Sequence, residues 1–123
     1  RTKPTEFYTS GGYRVLVGRN NLQNDRLTFK TAEKGDLWFH VKDLPGSHVI
    51  LFCGGEEPSE TDYTEAASAA AYYSKATGEL VPVDYTRVKN VKKPVGAKPG
   101  YVTYKTNYTA FVKPIKPTNS DKK

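Results

Sequence analysis

Eight consecutive residues, Gly18-Arg19-Asn20-Asn21-Leu22-Gln23-Asn24-Asp25, combine three Asn and a Gln with a cation and a carboxylate. Amide side chains both donate and accept hydrogen bonds, which is what reading the edges of nucleotides requires. Asn20 is suited to cap a helix, and the N–H groups of a helix's first turn carry partial positive charge, so with Arg19 beside them they predict a phosphate site. A reading without a ligand competes: Asn20 caps, and the remaining amides are solvated or brace neighbouring loops.

The only Trp and both His lie in a second stretch, Leu37-Trp38-Phe39-His40-Val41-Lys42 followed by Ser47-His48-Val49-Ile50-Leu51-Phe52. These β-rich runs flank Asp43-Leu44-Pro45-Gly46 and should pair as an antiparallel hairpin. If residues 43–46 are the loop, Val41 faces His48 and His40 faces Val49, so the two imidazoles project from opposite faces; a loop of odd length would bring them to one face. No Cys, Asp or Glu stands at ligand spacing to complete a zinc set, so no metal is expected. Asp36, Trp38 and His40 share a face by alternation, which could orient the His and offer an aromatic platform to a base or ribose. A core Trp with a hydrogen-bonded His is the other reading. Ser47 beside His48 is not a hydrolase signal, because neighbours on a strand point apart and no nucleophile elbow is present. Phosphate-binding and dinucleotide-binding Gly motifs are also missing, so neither an enzyme nor a cofactor is expected.

A third group, Arg87, Lys89, Lys92, Lys93 and Lys98, is interleaved with Tyr85, Tyr101 and Tyr104. Cations mixed with stacking surfaces suit a nucleic-acid backbone, while an edge strand guarded by Lys would look the same. Charge distribution sharpens this: residues 80–123 carry ten Lys or Arg against two Asp or Glu, whereas residues 1–79 carry nine against eleven. The net charge of +6 therefore belongs to the C-terminal third, as for a polyanion-binding surface.

Several elements must position these groups. Glu6–Tyr8 and Tyr13–Val17 around Ser10-Gly11-Gly12 read as an opening hairpin. A helix follows Asn20, predicted to pack through Leu22, Arg26 and Phe29 with the amides on its other face. After the central hairpin, Thr61 or Asp62 is expected to cap an Ala-rich helix running to about Ala76 and stopped by Gly78, with Ala66, Ala70 and Tyr73 on one face. Strand patterns return from Val81 to Val91, at 101–104 and at 109–112. The expectation is one α+β domain over residues 1–113, a mostly antiparallel sheet covered by two principal helices, with 114–123 a disordered tail.

The 123 residues suit one domain, and the chain reads as a piece of a longer polypeptide. No apolar run approaches a bilayer span, so membrane insertion is not expected. Cys53 is the only cysteine, which excludes an internal disulfide and agrees with a cytoplasmic origin; ending the Val49–Phe52 strand, it reads as a small apolar residue.

Taken together, Gly18 to Asp25, then Asp36-Leu37-Trp38-Phe39-His40-Val41, then Pro45-Gly46-Ser47-His48-Val49-Ile50 closely resemble the signature of the NFACT-R domain. The likeness continues through Ala66 to Lys75, Val83-Asp84-Tyr85-Thr86, Lys92-Lys93 and Gly96 to Val102. The resemblance implies the C-terminal RNA-binding part of a larger protein that also has a glycosylase-like N-terminal domain, helix-hairpin-helix elements and a coiled coil. It further implies binding to tRNA and to obstructed large ribosomal subunits, where a largely alanine C-terminal tail is added. Members are also described as surface adhesins that bind fibronectin, so display at the cell surface is the alternative. Carried over position by position, the resemblance implies a functional patch of Arg19, Asn20, Asn21, Gln23, Asn24 and Asp25 with Trp38, His40, Ser47 and His48.

Overall fold

The computed structural model describes residues 2–118. In chain order it contains β1 (Thr5–Tyr8), β2 (Arg14–Val17), α1 (Asn21–Arg26) running into a π-helical turn (Leu27–Thr31), β3 (Leu37–Val41), β4 (Val49–Phe52), α2 (Glu60–Tyr73), β5 (Val81–Arg87), β6 (Val91–Lys92), β7 (Thr103–Tyr104) and β8 (Tyr108–Val112). Six strands form one antiparallel sheet in the order β1-β2-β4-β3-β5-β8, and β6 pairs with β7 apart from it. This is the α+β arrangement that the strand and helix patterns predict.

Strand alternation divides the sheet into two faces. Val15, Val17, Leu37, Phe39, Val41, Val49, Leu51 and Val83 point to one face, where Ala66, Ala67, Ala69, Ala70 and Ala71 of α2 close over them. Methyl side chains let the helix axis lie close to the strands, and the apolar area removed from water contributes roughly 25 cal/mol per Å². The cap of α2 lies earlier than Thr61 or Asp62: Ser59 is the N-cap, and Asp62 is the third residue of a capping box in which its carboxylate accepts from the Ser59 N–H. The helix ends at Tyr73, before the expected Ala76, and Lys75 takes the left-handed turn with φ 62°.

The other face gathers Leu16, Trp38, Ile50 and Leu27 with Val88 and Val91. Its cover is α1, the π-helical turn and the β6–β7 pair. Here two expectations are corrected. The first helix turns its amides inward: Gln23, Asn24, Leu27 and Thr28 are buried, whereas Leu22 is 66% exposed and Arg26 is exposed. Hydrogen bonds available to those amides beneath the helix outweigh the cost of exposing one Leu. The hairpin register is the second correction. Trp38 pairs with Ile50 and Phe39 with Val49, so His40 falls opposite His48 and the imidazoles share a face, their centroids 5.4 Å apart. Strand β4 begins only at Val49, because the His48 N–H is taken by Asn24 Oδ1 and its carbonyl by the Gly18 N–H.

Beyond β8 the chain runs back along α2, where the Ile115 N–H reaches the Ser68 carbonyl at 3.4 Å. Of the tail read as 114–123, residues 119–123 lie outside the described residues.

Candidate nucleic-acid interface

The two motif-bearing segments meet through a buried knot. Trp38, 0% exposed, donates its Nε1–H to His48 Nδ1 at 3.1 Å, and Thr28 Oγ1 lies 2.8 Å from the same nitrogen. Indole N–H can only donate, so Nδ1 is the acceptor and the proton of His48 sits on Nε2, aimed at the Gly100 carbonyl 3.3 Å away. Burial, then the neighbouring His40, pushes the His48 pKa down to about 4. The ring is thus a neutral tie between the sheet and the 98–102 segment. His40 stacks on Trp38 at 5.6 Å and donates Nδ1–H to the Val41 carbonyl; burial lowers its pKa, against that hydrogen bond and the charge of Asp84.

Two carboxylates fasten the cover. Asp25 pairs with Lys93 at 3.0 Å and accepts the Gly100 N–H at 3.0 Å, while Lys93 also donates to the carbonyls of Lys98 and Tyr101. Gly100 has φ +88°, and a Cβ there would meet the Asn21 side chain, so any other residue at this contact is strained and must displace Asn21. Asp84 accepts from the Tyr104 and Thr109 hydroxyls and from Lys42. Burial pushes its pKa up, but these three donors outweigh burial and hold it below the ordinary value.

What remains open to solvent lies in two clefts flanking this cover. One is a groove lined by Phe29, Glu33, Lys34, Val88, Lys89 and Lys92. None of its three lysines belongs to an ion pair among the described residues. The other cleft lies at the hairpin tip between Asn21, His40, Asp43 and Leu44 on one side and Lys98 and Tyr101 on the other. Arg19, Asn20, Arg26 and Lys30 add exposed polar and cationic groups along α1.

The structure sorts the residues singled out from the sequence. Gln23, Asn24, Trp38 and His48 are buried and serve as braces, so Trp38 presents no platform to a base. Asp25 and Lys93 are paired with each other, and the Ser47 N–H is held by Ser74 Oγ of α2. The turn at Asn20 closes on itself, with Arg19 N–H on Gln23 Oε1 and Gln23 N–H on Asn20 Oδ1. Two of the backbone donors at this turn, the N–H groups of Arg19 and Gln23, are thereby occupied. Arg87 stands away from the cover, its guanidinium on the carbonyls of Gly35 and Glu56, on Cys53 Sγ and on Glu57. Arg19, Asn20, Asn21, Lys89 and Lys92 are exposed, and His40 lies at the wall of the tip cleft. Sequence reasoning missed Lys34, Leu44 and Asp43 as surface groups, since nothing local distinguishes them; only the fold brings Lys34 to Lys89 and Asp43 to Lys98. Among the described residues no group of three His, Cys, Asp or Glu is placed to hold a metal, and no helix is long and apolar enough to cross a membrane.

Comparison with known proteins places the chain in a family. The family described as NFACT protein RNA binding domain matches residues 3–106. A Bacillus subtilis protein named Rqc2 homolog RqcH is 50% identical over 109 residues, covering 88% of this chain and 19% of its own length. Its Streptococcus suis namesake is 52% identical over 116 residues, covering 93% of this chain and 21% of its own. The solved C-terminal part of the fibronectin/fibrinogen-binding protein from Streptococcus suis superposes with a TM-score of 0.88 at 50% identity, over 94% of this chain and 47% of that one. This chain therefore spans about a fifth of the length of these curated relatives.

Proposed function

The chain belongs to the NFACT protein RNA-binding domain family, and from that premise we propose that it is the RNA-contacting module of a cytoplasmic ribosome quality-control factor. In this reading it helps hold tRNA on obstructed large ribosomal subunits while a largely alanine tail is added, and it makes and breaks no covalent bonds itself. The remaining domains of the parent protein supply the other contacts.

The observation that carries the reading is the groove of Lys34, Lys89 and Lys92, three ammonium groups from two segments of the chain with no carboxylate partner among the described residues. Unpaired cations lining one groove neutralise successive phosphates and release counterions on binding. Arg19, exposed just before α1, is a further surface cation.

Binding of tRNA to this chain is measured as a function of salt. Affinity is expected to fall steeply with salt, and the combined Lys34→Ala, Lys89→Ala and Lys92→Ala variant to flatten the log–log slope by about 2 to 3. Arg19→Ala is expected to weaken tRNA binding with the fold intact. An unchanged slope in the triple variant would remove the groove from the interface.

A second reading has its own support. The solved Streptococcus suis neighbour bears the name of a fibronectin/fibrinogen-binding protein, and β8 is an outer strand of the sheet with Tyr108 and Phe111 exposed. Such an edge suits strand addition from a matrix protein at the cell surface. Fibronectin binding that survives disruption of β8 by Thr109→Pro, in a variant that still folds, would count against strand addition.

A further inference from the structure

We infer that the cleft at the hairpin tip receives one unpaired nucleotide of the bound RNA, its base stacked on Tyr101 and its Watson–Crick edge on the Asp43 carboxylate, with guanine the base that fits. This rests on the RNA-binding reading above and names what this end of the surface takes.

Four features of the cleft carry it. Tyr101 and Leu44, 53% and 52% exposed, enter from different segments and offer apolar surface to a planar ring. Base–aromatic stacking needs such a ring free of other contacts. Asp43 sits in the left-handed region with φ 60°, which Asp tolerates better than most residues but at a cost, and among the described residues its carboxylate has no hydrogen-bond or ion-pair partner. Two adjacent acceptor oxygens match guanine's N1–H and N2–H donors; adenine and cytosine present one amino group, and uracil one imide N–H. Lys98, in no ion pair among the described residues, supplies a cation for the flanking phosphate. The floor is rigid, because Trp38 and Tyr104 pack at 4.8 Å and Gly100 is held by both Asp25 and His48, so little ordering is required on binding.

An arginine side chain of a protein would also fork onto a carboxylate, but the Lys98 ammonium at the rim opposes a second cation. A nucleotide carries both the planar donor edge and the anion that the cleft provides for.

The test titrates the full chain with GMP, AMP, CMP and UMP, and with an adenylate heptamer with or without one central guanylate, following backbone amide shifts by NMR. GMP is expected to shift Asp43, Leu44 and Tyr101 at lower concentration than the other mononucleotides. The guanylate-containing heptamer is expected to bind more tightly than GMP, because neighbouring phosphates reach Lys98. Tyr101→Ala should weaken the heptamer roughly five- to hundred-fold while Tyr101→Phe retains binding. Asp43→Asn, which keeps a residue tolerant of the left-handed backbone, should erase the preference for guanine. Equal shifts for all four mononucleotides, shifts confined to other surfaces, GMP binding as tightly as the heptamer, or displacement by arginine amide at similar concentration would each overturn the inference. Should tRNA still bind with its groove-dependent salt slope while the tip stays silent, only this inference fails; loss of all RNA binding defeats the reading beneath it as well.

Discussion

The two faces of the sheet are closed by opposite means. Beneath α2, alanine methyls meet Val, Leu and Phe, and the contact is carried by apolar packing. On the Trp38 face the cover is short and polar, and it stays in place because Asp25, His48 and Asp84 each bond to more than one group of it or of the strands below. The first face tolerates exchange of one apolar side chain for another of similar size, whereas the second depends on particular donors and acceptors. The groove of Lys34, Lys89 and Lys92 and the cleft at the hairpin tip both border the second face, whose cover is made of separate pieces.

The largest expected effect sets the faces against one another. Phe39→Ala and Trp38→Ala each remove a fully buried aromatic from adjacent positions of β3, and each should cost about 3 to 5 kcal/mol in urea melts. Only Trp38→Ala should displace the amide resonances of residues 98–104, since it alone unseats His48. Equal displacement by Phe39→Ala would mean the faces are not independent.

Acid should weaken the second face first. His48 takes its proton near pH 6.5 in the unfolded chain but only near 4 when folded, so between those values the unfolded state holds more protons and stability falls with falling pH. The loss is at most about 3 kcal/mol, complete near pH 4, and His40 adds to it in the same direction. Asp62 and Asp84, both held below the ordinary carboxylate pKa, stabilise the fold above about pH 3.8 and lose that contribution only below it. For Asp62, burial works against the lowering, and the Gly11 N–H and the Thr9 and Ser59 groups overcome it. A urea midpoint that does not move between pH 7 and 4.5, or that moves as much in His48→Gln, would separate this slope from His48.

The smallest effect isolates a single contact. Gly100→Ala should cost about 1 to 3 kcal/mol, from strain at φ +88° together with the encounter with Asn21. Gly96→Ala has comparable strain at φ +78° but open space around the added methyl, and should cost less in thermal melts. Equal costs would show that packing of α1 on the 98–102 segment adds nothing.

Much of this was legible residue by residue. Alternation in Leu37–Val41 and Val49–Phe52 marks the central strands, and the run of alanines marks the helix above them. The direction of α1 was not legible, because a polar helix face reads as solvated unless its partners are known, and the partners of Asn24 are His48 and Gly46, 24 and 22 residues away. Hairpin register escaped for the same reason. It follows from Gly18 and Asn24 gripping His48, which delays the start of β4 and lets His40 meet His48.

The sequence by itself determined the fold class, the concentration of positive charge in the C-terminal third and the family signature, all properties of local pattern and composition. Tertiary structure alone decided which signature residues brace the core and which face solvent. Spacing along a chain records that polar groups are present, but whether an amide or imidazole is spent on a neighbour or left for a ligand depends on partners brought close by folding.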